Sequence, residues 1–191
     1  METMMAADQL NDVLQRLSHL LKAEERKLGK QYGLQPVQLE ALHYLSRCNK
    51  YSNNGMGVTE YFGLTKGTVS QTLRALENKG FVTRRPHSRD RRKIQLEVTD
   101  AGKEVMHLFP LPLLQEGWVH LDKMDQEQMV MQLNRFLRTL QHTNRTRTFG
   151  VCHSCHHFVT PFQGVYQCGL TKERLYDAEI NLICREHSVS S

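Results

Sequence analysis

From Leu10 the apolar residues Leu10, Val13, Leu14, Leu17, Leu20, Leu21 and Leu28 recur at three- and four-residue steps, which predicts an amphipathic helix ending near Gly33. Pro36 suits the first turn of a second helix, which carries Leu39, Leu42 and Leu45 as far as Asn49, and the run Asn53, Asn54, Gly55 opens a loop. A short third helix is expected over Val58 to Phe62. Gly63 permits a tight turn, and Thr65 is a good cap for a fourth helix with Val69, Leu73 and Leu76 on one face up to Gly80. Two extended runs follow, Phe81 to Arg85 and then Ile94, Leu96 and Val98 at alternate positions, the period of a half-buried strand. Thr99 caps a further helix, in which Pro110 and Pro112 predict a kink, because an interior proline removes a donor and clashes with the preceding turn. After Asp125, the residues Met129, Leu133, Phe136, Leu137 and Leu140 define a last long helix.

Charge changes this picture more than composition does. The 191 residues carry 25 Lys and Arg against 20 Asp and Glu, a net of +5. Between Thr83 and Lys93, Arg84, Arg85, Arg89, Arg91, Arg92 and Lys93 face the single acid Asp90, so this segment holds the whole net charge. A cationic segment that concentrated is the footprint of a surface made for a polyanion. Helix, glycine-containing turn, Thr-capped helix, strand, basic loop, strand is the order of a winged helix-turn-helix, in which the second helix enters the major groove and the loop reaches the flanking minor groove or phosphates. With Val69, Leu73 and Leu76 turned inward, Lys66, Thr68, Ser70, Gln71 and Arg74 face outward, where they can meet phosphates and base edges.

The stretch TKGTVSQTLRALENKGFVTRRPHSRDRRKIQLEVTDAGKEV, residues 65–105, resembles the MarR family of bacterial transcription regulators. It carries a recognition helix, a K-G-hydrophobic exit into the wing, an R-D-x-R wing tip and an L-x-V-T-x-x-G closing strand. The resemblance implies that Thr68, Ser70, Gln71 and Arg74 face the major groove and that Arg89 sits at the wing tip near the minor groove. It further implies that Asp90 and Arg92 brace the wing, with Arg85 and Arg91 near phosphates, and that a small aromatic or oxidising effector acts in the cleft between wing and dimer domain. The prolines at 110 and 112 depart from the family's unbroken long helix. Independently, both terminal amphipathic stripes lack an intrachain partner. Pairing two chains through them would bury both stripes and set two recognition helices about 34 Å apart, so the expected target is an inverted-repeat operator bound by a homodimer, acting as a repressor.

Beyond a polar linker the composition shifts, with four of the five cysteines and four of the ten histidines in the last 40 residues. They read Cys152-x2-Cys155-x12-Cys168-x15-Cys184-x2-His187. A C-x2-C knuckle lets two thiolates and nearby amides wrap an ion, and a second pair from a distant loop completes a tetrahedron. Cys152, Cys155, Cys168 and Cys184 are the expected ligands, with His187 the alternate that competes with Cys168. Zinc is the expected ion, since nothing in the spacing demands an iron-sulfur cluster, although four thiolates accommodate one. Disulfides and unliganded buried thiols are the competing readings. A tail under about 40 residues rarely folds without a staple, and Tyr166, Leu175, Tyr176, Ile180 and Ile183 supply little core. Cys48, far from this cluster in sequence, reads as an ordinary buried thiol.

The expected class is therefore mainly α with a small β wing: a winged helix-turn-helix with a helical dimerisation region and a metal-stapled C-terminal module. The divisions expected are an N-terminal dimerisation helix over 1–33, the DNA-binding domain over 34–102, dimerisation helices over 103–143, a linker over 144–149 and the cysteine-rich tail over 150–191. No membrane span is expected, the most apolar stretch, Val105 to Leu114, being about ten residues where roughly 20 are needed. Met1 to Asp8 has acids and no basic start, so no export signal is expected and the location expected is cytoplasmic. H-E-x-x-H, G-x-S-x-G and a phosphate-cradling glycine loop are all absent from the sequence, which argues against an enzyme. Two rival readings remain: a redox or metal sensor with an iron-sulfur cluster controlling DNA binding, and an RNA-binding or adaptor protein with a zinc module. Few aromatics lie near the basic loop to stack single-stranded bases, which favours duplex DNA over RNA.

Overall fold

The computed structural model describes residues 2–87 and 90–189. The amphipathic start forms α1 (Glu2–Gln31), which begins earlier than the leucine stripe predicts because the good helix formers before Leu10 continue it backwards. α2 (Pro36–Arg47) starts with proline at its first turn, and the Gln38 side chain accepts the Gln35 amide at 3.1 Å. α3 (Gly55–Phe62) starts three residues before the expected Val58, because the Asn54 side chain accepts the Gly57 amide at 3.0 Å and closes the first turn. Gly63 then ends it in the left-handed conformation, at φ 63°, which an L side chain adopts at a cost. α4 (Lys66–Asn78) is capped as the sequence predicts, Thr65 Oγ1 accepting the Thr68 amide at 3.1 Å.

β1 (Val82–His87) and β2 (Asp90–Val98) pair antiparallel as the wing, with Val82 opposite Val98 and Arg84 opposite Leu96. Thr99 caps α5 (Asp100–Met106), accepting the Gly102 amide at 3.2 Å. The kink expected at the prolines is a complete break. α5 stops at Met106, and α6 (Pro112–Trp118) restarts with Pro112 in its first turn, where a missing N–H leaves nothing unsatisfied. α7 (Lys123–Thr143) is capped by Asp122, which accepts the Asp125 amide at 2.8 Å, so this helix opens slightly before the residues that define its stripe.

The core lies where α2, α3, α4, β1 and α5 converge. Leu39, Leu42, Leu76 and Val105 have no exposed surface, and Val58 and Val82 have 1%. The tail carries three small pairings: β3 (Gly150–Val151) with β7 (Ile183–Cys184), and β4 (Phe158–Phe162) with β5 (Val165–Cys168), which also pairs with β6 (Arg174–Leu175). It docks directly on the loop between α2 and α3. The Asn49 amide donates to the Ile183 carbonyl at 2.9 Å, Cys48 and Ile183 form a parallel bridge, and Ile183 joins the core of the winged helix. Among the described residues no helix is long and apolar enough to cross a membrane.

Candidate nucleic-acid interface and cysteine cluster

α4 buries Val69, Thr72, Leu73 and Leu76 and leaves Lys66, Thr68, Ser70, Gln71 and Arg74 exposed, which is the polarity the sequence predicts. Thr72 is the buried residue that the apolar pattern misses, since its side chain is polar by type. Thr68 faces solvent, but its hydroxyl lies 2.9 Å from Thr65 Oγ1 and is engaged in the cap. Between α3, α4 and the wing runs a groove of about 260 Å3 lined by Lys66, Ser70, Arg84 and Ile94, so helix and wing share one continuous face.

The wing arginines divide into two groups. Arg84 Nε pairs with Glu77 Oε2 at 2.8 Å and ties the wing to α4, while Arg85 Nε pairs with Glu97 Oε2 at 2.8 Å across the strands. Both are therefore partly committed to holding the wing, where the sequence reading expects Arg85 near phosphates. Arg89 lies outside the described residues, as do the side chains of Asp90, Arg91 and Arg92, so the expected brace falls outside them too.

In the tail, the thiols of Cys152, Cys155, Cys168 and Cys184 line one cavity of about 70 Å3, with Asn49 and Leu175 among the other walls. β7 brings Cys184 in, the turn Cys152–Ser154 brings the first pair, and β5 ends on Cys168. The sulfurs receive N–H donors: Ser188 donates to Cys155 Sγ at 3.5 Å, and the Asn49 side chain and Glu186 backbone donate to Cys184. Asn49 is oriented for this by its own Oδ1, which accepts from the Tyr51 amide at 3.1 Å and Ser52 Oγ at 2.8 Å. Burial pushes the Cys152 thiol up to about 11, and the neighbouring Cys184, Cys168 and Cys155 push the same way. Burial likewise raises Cys184 against the pull of Asn49. Thiols crowded in this way are easily deprotonated only when a cation shares the cavity. Among the described residues no group of three or more His, Cys, Asp or Glu is placed so that it could hold a metal ion as it stands. Four thiols on one cavity are donor chemistry suited to a thiophilic ion, and they line that cavity without closing into an ion-holding group.

His187 is turned elsewhere. Its Nδ1 lies 3.1 Å from Thr148 Oγ1 and its Nε2 lies 3.1 Å from Ser154 Oγ and 3.2 Å from the Ser154 carbonyl, so both ring nitrogens are engaged by the protein. The ring lies flat on Gly150, where an added Cβ would be 2.6 Å from Nε2. His157 lines the thiol cavity, whereas His153 and His156 are exposed. Cys48 is buried, and burial raises its thiol to about 12.

A second cavity, of about 280 Å3, lies where α1, α2 and α3 meet Phe109, and nothing in the apolar periodicity points to it. Glu25, Glu40, His43, Arg47 and Tyr61 line it. Glu25 Oε2 is buried there without a hydrogen-bond partner, and burial raises the pKa of both carboxyls, with Glu40 adding to the effect on Glu25. Charged residues on the inner side of an amphipathic helix read as its polar face until the neighbouring elements are in place.

The fold, with its two-stranded wing behind a capped recognition helix, defines a winged-helix protein. Residues 32–93 match the profile of the MarR family, so this segment of the chain is similar to that family. The HTH-type transcriptional repressor YetL of Bacillus subtilis (strain 168) is 29% identical over 100 residues, 52% of this chain and 58% of that protein, so the alignment spans a little over half the length of that relative. Among solved structures, the DNA complex of S. aureus MepR superposes with a TM-score of 0.57 at 24% identity, covering 69% of this chain and 98% of MepR. A MarR transcriptional regulator from Methanosarcina mazei Go1 superposes with a TM-score of 0.60 at 18% identity, covering 71% of this chain and 99% of that one. These likenesses establish the fold.

Proposed function

We propose that this protein is a homodimeric transcriptional regulator that binds duplex DNA at an inverted-repeat operator and acts as a repressor. The observation that carries the reading is the exposed face of α4 joined to the wing by a common groove, with Lys66, Ser70, Gln71 and Arg74 on a helix whose opposite side is core. A relative described as a transcriptional repressor and a structural neighbour solved on DNA support it. Lys66 and Arg74 serve phosphates and guanine edges, and Gln71 suits an adenine edge. Arg89, Arg91 and Arg92 extend the same cationic face along the wing, and Asp90 with Arg92 holds the wing's shape. α1 and α7, both carrying exposed apolar stripes, form the dimer contact. A small effector would act from the 280 Å3 cavity at the foot of α1.

The tail carries one zinc ion on Cys152, Cys155, Cys168 and Cys184. The shared cavity, the N–H donors aimed at sulfur, and the engagement of both His187 nitrogens support four thiolates over a set that includes His187. When bound, the ion supplies the positive charge that holds the thiolates together; Asn49 and the amide of Ser188 stabilise their negative charge.

The test is selection of bound sequences from a random duplex pool, followed by affinity measurements on duplex and single strand at matched salt. The expected result is an enriched inverted repeat, preferred over single strand at least tenfold, and a loss of at least tenfold in K66A/Q71A/R74A. Equal affinity for duplex and single strand would overturn the major-groove reading in favour of the RNA or adaptor one. Metal analysis with an absorption spectrum of anaerobically purified protein separates a colourless one-zinc protein from an iron-sulfur cluster.

A further inference from the structure

The tail does more than sit beside the winged helix, because it holds α3, the first helix of the helix-turn-helix, from behind. Arg185 donates from Nε and Nη2 to the two carboxylate oxygens of Glu60 at 3.1 and 2.8 Å, a bidentate pair, and Arg147 Nε reaches the same carboxylate at 3.2 Å. The Arg185 amide donates to Ser52 Oγ at 2.9 Å, in the loop that leads into α3. Phe149 meets the Tyr61 ring edge-on at 5.2 Å, and Ile183 lies in the same core as Val58 and Leu76. Arg185 directly follows Cys184, and Asn49 bonds both to Cys184 and to the turn before α3. One short chain of contacts thus links the thiol cavity to the back of the helix that supports α4.

The tail has little else to keep it in place. Of its described residues, only Cys152, Leu175, Ile183 and His187 are buried, and Ile183 belongs to the winged-helix core. A module with so small an interior is ordered by a cross-link or not at all. Ordering it positions Arg185, Arg147 and Phe149, and these in turn fix Glu60 and Tyr61.

We infer that the cysteine module is a metal-dependent splint on the helix-turn-helix: with its ion bound it immobilises α3 and the Asn49–Asn54 loop through the Arg185–Glu60 pair, and loss of the ion frees α3 and lowers affinity for duplex DNA. The inference rests on the metal reading above and adds a regulatory role to it. Transitions of this kind, order to disorder in one segment read out at another, need only that the two arrangements differ in free energy by what the ligand supplies.

The experiment compares full-length protein as zinc-loaded, chelator-stripped under reducing conditions, and zinc-restored, by hydrogen exchange and by binding to a mixed-sequence duplex at low salt. Cobalt(II) substitution, read by its thiolate charge-transfer absorption, reports occupancy of the site. The expected result is one cobalt per chain, amide exchange in α3 and the Asn49–Asn54 loop at least tenfold faster after stripping with α1 unchanged, reversal by zinc, and a parallel tenfold loss of duplex affinity. E60Q is expected to keep the cobalt spectrum while α3 exchanges in the loaded protein as fast as in the stripped wild type. Cobalt bound normally with α3 exchange unmoved by stripping overturns the splint and leaves the metal site standing; an E60Q protein indistinguishable from wild type overturns the Glu60 route. A chain that takes up neither zinc nor cobalt overturns the metal reading itself, and the splint with it.

Discussion

His43 stacks on Phe109 with ring centroids 4.1 Å apart, and that placement sets its chemistry. Burial against the ring, with Arg47 adding repulsion, pushes the imidazole down to about 4 from its usual 6.5. Folding therefore favours the neutral ring. The contribution is fully present above pH 6.5 and is lost as pH falls through 6.5 toward 4. Since the ring keeps some solvent contact, the loss is discounted to about 1–2 kcal/mol. His43→Gln should accordingly flatten the difference in urea-unfolding free energy between pH 7 and pH 4.5 by that amount. The neighbouring carboxyls of Glu25 and Glu40, raised by burial, work in the opposite direction over acid pH, so the comparison of variant with wild type is what isolates the histidine. An identical pH dependence in the two proteins would show the ring to be solvated. None of this is legible in the chain, because His43 lies on a helix face whose neighbour, Phe109, arrives from 66 residues away, out of the break between α5 and α6.

Among elements, the helix-turn-helix is legible because its signals are local. The Thr65 cap, the glycine exit at Gly63 and the three- and four-residue apolar steps all act within a turn or two of where they are read. Thr65→Ala should cost about 1 kcal/mol in unfolding free energy through the lost bond to the Thr68 amide, and Leu76→Ala roughly 2–5 kcal/mol because that side chain has no exposed surface. Chemical denaturation of the two variants should rank them in that order, and the reverse ranking would mean that α4 is held by its ends rather than by its face. What the chain does not announce is long-range. Arg85 looks free in sequence and is paired with Glu97; His187 has a ligand's spacing and is pinned by Thr148 and Ser154; Cys48 looks remote from the cluster and is bridged through its backbone to the residue before Cys184. Each outcome depends on a partner that folding brings in from elsewhere.

For the whole molecule, the decisive feature is what one chain leaves uncovered. α7 buries none of its side chains, and Leu133, Phe136, Leu137 and Leu140 are between 36% and 51% exposed, matched on α1 by Leu10, Leu14 and Leu17 at 38% to 49%. In the homodimer proposed above these stripes cover one another between protomers, since an apolar helix face of this size left in water is a binding surface. Leu133→Asp should then convert a dimer into a monomer in sedimentation. The consequence for DNA can be counted. Setting aside Arg84 and Arg85, engaged by Glu77 and Glu97, and Arg92, assigned to the brace with Asp90, the proposed phosphate contacts of α4 and the wing on each protomer are Lys66, Arg74, Arg89, Arg91 and Lys93. Ten such contacts in a dimer give log K against log salt a slope of about −9, and five give roughly half that. The monomeric variant should therefore bind duplex more weakly and with a slope near half the wild-type value. A slope unchanged by Leu133→Asp, in a protein shown to be monomeric, would mean that the cationic face is filled by one chain and that the terminal helices serve some other contact.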